Sequence, residues 1–197
     1  MSSPLAWIRA ATVCMLALVG AFPVAAWAAI WDELTDAQVQ EALQYGRARA
    51  TEPLERLVEP WMVRAPDGSA AIVVRSDFVS LAYLGWNEKR NGRPLTAREL
   101  DEAVFVLRAL RKTLHVEGIV PSSAFGYVEA VELLDGTTGS HLISLEFKLE
   151  RKEAREDWRF DAYFLRAGLA PTSKPSVRIR GSTGKHVVIP VDLSKIR

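Results

Sequence analysis

The sequence of 197 residues predicts an α+β fold, with helices in the first half and mainly antiparallel strands in the second. Two observations predict this class. Apolar residues recur at helical spacing in three segments before residue 112, and from about residue 114 they alternate with polar residues, as in half-buried strands. The two patterns are segregated along the chain, which disfavours a parallel sheet with helical crossovers. A single sheet and a β-sandwich both remain open for the second half.

The first 28 residues have the layout of a cleaved secretory signal peptide. Arg9 precedes an uncharged run over residues 10–26, and Ala26 and Ala28 would stand at positions −3 and −1 of the cut. A membrane-spanning helix needs about 20 apolar residues, and this run is shorter. We therefore expect a secreted or periplasmic protein with no membrane span after cleavage; an uncleaved anchor helix is the alternative.

Composition excludes several classes for the remaining residues, 29–197. Cys14 is the only cysteine, so these residues can form no disulfide and offer no thiolate as nucleophile or metal ligand. Without Arg9, the 25 Lys and Arg residues become 24, which equals the 24 Asp and Glu residues. Nucleic-acid binding relies on clustered positive charge, and this balanced chain is not expected to bind nucleic acid.

The first predicted helix begins after a capping box. Thr35 is followed three residues later by Gln38, and apolar residues then recur at helical spacing over Asp36–Ala50. Pro53 ends this helix. A short turn over residues 54–58 is expected to follow.

A β-hairpin and two further helices complete the helix-rich part, residues 29–112. The hairpin pairs residues 61–64 with 70–75 around a turn containing Gly68. Ser76 caps the second helix, which starts at Asp77 and stops before Gly92. The third helix is capped by Thr96 and Glu99. Its predicted buried face consists of Leu100, Ala103, Val104, Leu107 and Leu110.

The second half, residues 113–197, is predicted to be β-rich and packed on the first half as one unit. Alternation is clearest over residues 143–149, and a short strand over residues 114–120 is possible. The charged run 148–159 is interpreted as an exposed loop or short helical turn. The remaining predicted strands are 127–134, which leads into a loop at 135–139, then 158–164, and a closing hairpin of 177–180 with 187–191.

The sequence motifs for catalysis, phosphate binding and metal binding are weak. The segment 181–186, GSTGKH, lacks the spacing of a phosphate-binding loop and is interpreted as a hairpin turn. His115, His141 and His186 are too widely spaced to suggest a zinc site, so no metal and no cofactor are expected. A histidine can serve as general base near neutral pH, which leaves a hydrolase using His141 or His186 near Asp192 as one alternative.

The leading hypothesis is a non-enzymatic binding protein of the cell envelope. Trp61, Tyr83 and Trp86 could line a groove for another envelope protein or a small apolar ligand, although large aromatic residues equally stabilise a core. A third class is a structural subunit that assembles through strand edges around residues 177–191. Pro190 predicts that the last strand lies at an edge.

Overall fold

The structure is a computed structural model, and it describes residues 33–135, 141–143, 146–152, 157–166 and 169–196. The predicted signal peptide, residues 1–28, lies outside the described residues. So does most of the loop predicted at 135–139. Both stay predictions.

The predicted α+β class is confirmed, with the main helices in the first half of the chain. α1, α3 and α4 correspond to the three predicted helices, α2 to the predicted short turn, and α5 is a single added turn. Their bounds are α1 (Asp36–Ala48), α2 (Leu54–Val58), α3 (Asp77–Asn91), α4 (Ala97–Leu110) and α5 (Ser122–Phe125).

The two predicted capping boxes and the predicted glycine stop of α3 are confirmed, whereas α1 ends at Ala48 rather than at the predicted Ala50. The Thr35 backbone amide donates to Oε1 of Gln38 at 2.9 Å, and the Thr96 amide donates to Oε2 of Glu99 at 2.9 Å. These bonds complete two capping boxes, which satisfy amide groups that a helix start leaves without partners. Gly92 ends α3 in the left-handed region, with φ of 64°.

Nine strands in the described residues form two antiparallel sheets. Their order is β1-β2-β3-β7-β6 in a five-stranded sheet and β5-β4-β8-β9 in a four-stranded sheet. Their bounds are β1 (Met62–Arg64), β2 (Ala71–Arg75), β3 (Thr113–Pro121), β4 (Val128–Leu134), β5 (His141–Ile143), β6 (Glu146–Lys152), β7 (Asp157–Leu165), β8 (Ser176–Gly181) and β9 (His186–Pro190).

The two sheets pack face to face as a β-sandwich, which settles the choice that the sequence left open. Burial alternates along β3, β7 and β8, so each strand turns one apolar side toward the opposite sheet. The shared core takes side chains from both sheets. Among them are Val116, Phe160 and Phe164 from the first sheet and Leu133, Val177 and Ile189 from the second.

A second core joins the helices to the outer side of the β1-β2 hairpin. α1 packs along α3, and both contribute buried side chains to the core that also includes Val73 of β2. Trp61 precedes β1 and belongs to the same core. The fold therefore has a helical layer on one side of the five-stranded sheet and the four-stranded sheet on the other.

Two sequence predictions in the second half are wrong. The single strand predicted over residues 143–149 is divided between β5 and β6, which belong to different sheets. The charged run 148–159 is largely strand, because β6 pairs with β7 up to Lys152 and Asp157. A run of alternating charge also suits paired strands, where opposite charges face each other in register, as Lys148 and Asp161 do.

The strand predicted over residues 114–120 is the central strand of the larger sheet. β3 runs over nine residues, pairing with β2 on one side and with β7 on the other. The part boundary predicted between residues 112 and 113 therefore separates, along the chain, β2 from β3, which are neighbouring strands of one sheet. The helix-rich part contributes β1 and β2 to this sheet.

Candidate functional site

Two of the three aromatic residues predicted to bind a partner are buried. Trp61 is 6% exposed, and its ring meets that of Tyr45 edge-on with 5.3 Å between centroids. Trp86 is 7% exposed, and its indole Nε1 donates to the backbone oxygen of Glu52 at 3.1 Å. Both side chains help to hold α1, α3 and the hairpin together.

Tyr83 is the partly exposed member of the predicted set. Its ring stacks on Trp86 with 5.9 Å between centroids, and the guanidinium of Arg75 lies 5.2 Å from the Tyr83 ring. Trp61 packs instead with Tyr45 and Phe78, so the three predicted residues do not form one groove. A binding role for these three residues stays a prediction.

The main exposed apolar surface lies on α4. Phe105, Val106 and Leu110 are 71%, 52% and 38% exposed, and we name these three residues the α4 surface. They are three of the six large hydrophobic residues found exposed in the described part of the chain. None of the 14 residues of α4 is fully buried. Leu110, predicted on the buried face, is therefore at the surface.

A groove runs between α4 and the start of α1. It has a volume of about 800 Å³, and its apolar walls include Val39 from α1 and Val104 and Phe105 from α4. Glu33, just before α1, bonds to Arg108 at 2.7 Å and reaches Arg111 at 3.5 Å. Arg108 also lines the groove, so one member of these ion pairs contributes charge to its wall.

Charge on α4 is polarised along the helix. The first turns carry three acids, Glu99, Asp101 and Glu102, against one base, Arg98, whereas Arg108 lies in the last turn and Arg111 follows as C-cap. This order complements the helix dipole, which favours acids at the N-terminus and bases at the C-terminus. The apolar surface is thus flanked by opposite charges at its two ends.

A row of partly buried ion pairs crosses the outer side of the five-stranded sheet. His115 Nε2 lies 2.7 Å from Oδ1 of Asp161, and its ring stacks on Tyr163 with 4.2 Å between centroids. The hydrogen bond from His115 lowers the pKa of Asp161, against the opposing effect of burial. This is the close histidine–carboxylate pair that the hydrolase alternative requires, but it uses a different histidine.

The row continues on either side of this pair. Arg75 bonds to Glu117 at 3.2 Å, and Arg159 bonds to Glu55 of α2 at 3.2 Å. The buried Nε of Arg75 has no hydrogen-bond partner among the described residues. A cavity of about 30 Å³ lies beside the Arg159 end of the row. Its walls are mainly apolar and include Leu54, Val58, Met62, Val73 and Ile119.

The histidines chosen from the sequence occupy other positions. His186 is exposed at the start of β9, and the side chain of His141 lies outside the described residues. Asp192 accepts from the amide of Ser194 at 3.2 Å and lies 3.7 Å from the Lys174 ammonium. Within the described ranges, no three His, Asp, Glu or Cys side chains converge as metal ligands would.

The last strand is an edge strand, as Pro190 predicted. β9 lies at the end of the four-stranded sheet and pairs with β8 alone. Its burial alternates, with Val188 40% exposed on the outer side. Pro190 cannot donate a hydrogen bond there, which limits the length of edge open to another strand. Assembly through this edge stays a prediction.

Comparison with known proteins identifies one similar fold but gives no information on function. No protein family and no curated protein matches this sequence. A crystal structure of a novel protein of unknown function from Burkholderia pseudomallei K96243 is similar, with a TM-score of 0.51 and 11% sequence identity. The match covers 84% of this chain and 100% of that chain. At this identity the likeness establishes a shared fold alone.

Proposed function

We propose that this chain is an exported, non-enzymatic binding protein of the cell envelope that contacts a protein partner through the α4 surface. The observation that carries the proposal is the concentration of three exposed hydrophobic residues within six positions of one helix. Contiguous apolar patches of this kind commonly mark interaction sites, whereas isolated exposed hydrophobic residues are normal.

A protein fits this surface better than a small apolar ligand. The apolar side chains project from a helix beside an open groove, which is the geometry of helix-in-groove recognition. Small ligands are usually enclosed on most sides in pockets of about 300 to 1,000 Å³, whereas the groove beside α4, although about 800 Å³ in volume, is open and has charged residues such as Asp101 and Arg108 in its walls. The mainly apolar cavity near Met62 measures about 30 Å³, close to the space of one water molecule.

Export is the second part of the proposal, and it rests on the layout of residues 1–28. After cleavage of residues 1–28, the protein would be released into the envelope, where its partner is located, and would not need a membrane span of its own. None of the helices in the described part of the chain has both the length and the apolar character for crossing a bilayer.

Affinity capture from an envelope extract of the host would test the proposal. The bait is the exported protein, compared with Phe105→Ser on the α4 surface and Val188→Ser on β9 as a matched exposed control. We expect one protein to bind the parent and the Val188 variant but not the Phe105 variant, and to bind again when both are purified. Equal capture by all three, or capture of nothing, would contradict the proposal.

A second candidate is a hydrolase in which His115 is the general base, because His115 and Asp161 are within hydrogen-bond reach at 2.7 Å. A carboxylate in that position can orient an imidazole and stabilise its protonated form. A screen of ester and amide substrates with the parent, His115→Ala and His186→Ala would test it. The candidate requires a turnover that His115→Ala abolishes and His186→Ala leaves intact.

A further inference from the structure

We infer that residues 29–32, once cleavage of the signal peptide has freed them, dock in the groove between α4 and the start of α1, with Trp31 in its apolar part. The inference rests on the export part of the proposed function, since it requires the cut before Ala29. It gives the groove an occupant from the same chain and leaves the outer side of α4, with Phe105, to a partner. Three observations support it: the anchor at Glu33, the order of groups along one flank of α4, and the charge that cleavage creates.

Glu33 fixes the point at which this segment leaves the described part of the chain. Its carboxylate bonds to Arg108 of α4 at 2.7 Å. Leu34 precedes the N-cap of α1 and lines the groove together with Val39, and apolar residues at these two positions fix the angle at which a chain enters a helix. Residues 29–32 are therefore tethered beside α4, at the end of the groove where Arg108 lies.

One flank of α4 presents an ordered series of groups to the groove. Its members that line the groove are Asp101, Val104, Phe105 and Arg108. Spacings of three, four and seven residues place these side chains along one side of the helix. The distance along the helix axis from Arg108 to Asp101 is about 10 Å. The flank therefore has a base at one end, apolar side chains in the middle and an acid at the other end.

Trp31 has the reach and the direction to enter the apolar part of the groove. In extended backbone, successive side chains point to opposite sides and each residue advances about 3.3 Å. Trp31 stands two residues before Glu33, so its side chain turns toward α4 as that of Glu33 does, about 7 Å farther along. Val104 lies four residues from Arg108, about 6 Å along the helix. Trp31 therefore meets Val104, and its large apolar surface leaves water there.

The acidic end of the flank complements the new end of the chain. Cleavage before Ala29 creates an α-ammonium group, which is largely protonated at neutral pH. Four extended residues carry this group about 13 Å from Glu33, to the neighbourhood of Asp101 and Glu102. In the described part of the chain, Asp101 has no ion-pair partner, and Glu102 has only an exposed pair with Arg98. The uncleaved chain carries no charge at residue 29, so this contact forms only after cleavage.

Fluorine NMR of the exported protein, expressed from the full-length gene and labelled with fluorotryptophan, tests the docking of Trp31. Cleavage removes Trp7 and Trp27, and the Trp31→Phe variant assigns the signal of Trp31 among those that remain. We expect this signal to show less than about half of the solvent isotope shift that it shows in urea. We also expect Val104→Ala to move the signal by more than its linewidth, whereas the matched substitution Val188→Ala on β9 leaves it in place.

Titration of the α-amino group tests the contact with Asp101 without changing an apolar residue. Reductive methylation with carbon-13 formaldehyde gives this group an NMR signal whose pH dependence reports its pKa. A neighbouring carboxylate favours the charged form, so we expect Asp101→Asn to lower the pKa of the α-amino group by about 0.5 or more. Glu129→Gln is the control, because Glu129 is exposed on β4, on the opposite side of the sandwich from the helices. It should leave this pKa unchanged.

Mass spectrometry of the purified protein identifies its first residue and separates this inference from the proposed function. A protein that starts at Ala29 but has a fully solvent-exposed Trp31, insensitive to Val104→Ala, overturns the inference alone. The proposed function then stands if affinity capture still identifies a partner that needs Phe105. An α-amino pKa that Asp101→Asn does not change also overturns the inference. A protein that keeps its first 28 residues overturns the inference together with export. A docked Trp31 without any captured partner supports the inference and contradicts the binding role.

Discussion

Gly46 of α1 lies directly against the backbone of Ala82 in α3. A Cβ atom on Gly46 would lie 1.8 Å from the Ala82 carbonyl oxygen. The contact is reciprocal, because a Cβ atom on Gly85 would lie 2.2 Å from the carbonyl oxygen of Leu43. The two helices therefore cross backbone to backbone, and no side chain fits between them. This crossing fixes the geometry of the helical core.

Gly46→Ala should destabilise the protein by about 3 kcal/mol or more, since an added methyl group must push the two helix backbones apart. The measurement is urea-induced unfolding followed by circular dichroism. Gly68→Ala is the control, because Gly68 has φ of 71° but no atom within 4 Å of its added Cβ. We expect a loss of about 1 kcal/mol there, from the left-handed backbone alone. Equal losses in the two variants would refute the close crossing.

Gly118→Ala should also destabilise the protein, by about 1 to 3 kcal/mol. Gly118 in β3 is paired with Phe160 in β7, and its added Cβ would lie 2.2 Å from Cζ of that buried ring. Phe160→Leu removes the ring, so the double variant should be at least as stable as Gly118→Ala alone. A double-mutant cycle of unfolding free energies measures this coupling. Purely additive losses would contradict the contact.

Trp61→Ala should destabilise the fold by about 3 to 5 kcal/mol, since it would leave a cavity in the helical core. Phe105→Ala should change the free energy of unfolding by about 0.5 kcal/mol at most, because Phe105 is 71% exposed. Thermal and urea unfolding of both variants would compare them. A stable Trp61→Ala variant that loses a partner would instead support the binding role predicted from the sequence.

Asp161→Asn should make the free energy of unfolding fall less steeply as the pH is lowered. The pKa of Asp161 is lowered from its ordinary value of 3.8, chiefly by the hydrogen bond from His115. A lowered pKa in the folded state stabilises the fold above the unfolded pKa, and this contribution disappears as the pH falls through the folded pKa. Unfolding free energies measured from about pH 5 downward should fall less steeply in Asp161→Asn and in His115→Ala.

Asp77 provides a comparison of opposite sign. Burial raises its pKa, despite the ion pair with Arg111 at 3.1 Å. Its ionised form therefore opposes folding at neutral pH, and this effect is relieved as the pH falls through the raised pKa. The Asp77→Asn variant cannot gain this stabilisation by protonation, so its free energy of unfolding should fall more steeply in acid than that of the parent. Parallel curves for all variants would contradict both assignments.

Local features of the fold could be predicted from the sequence because neighbouring residues determine them. Thr35 and Thr96 bond to side chains three positions later, and Gly92 adopts a backbone conformation that few other residues favour. The hairpin of β1 and β2 follows from its turn, since Ser69 donates to Asp67 within it.

The remaining features depend on contacts between distant positions. The sequence does not reveal that β5 and β6 belong to different sheets, because both continue the same alternation. The pair of His115 and Asp161 joins residues 46 positions apart, and only the register of β3 and β7 brings them together. The apolar run in 103–110 was the available signal for the α4 surface. However, the apolar residues of a helix that are buried and those that stay exposed cannot be distinguished before the packing is known.

The pairing of β2 with β3 affects how the chain can fold during synthesis. The hairpin strand β2 is synthesised early, but its second neighbour, β3, is synthesised only after α3 and α4. The next strand of the same sheet, β7, is synthesised later still, after β6. The sandwich core also needs β8 and β9, so it cannot close until nearly the whole chain has been made. Folding that depends on such late pairing is slow. If the chain is exported as proposed, slow closure of the core would keep it unfolded until it has been translocated.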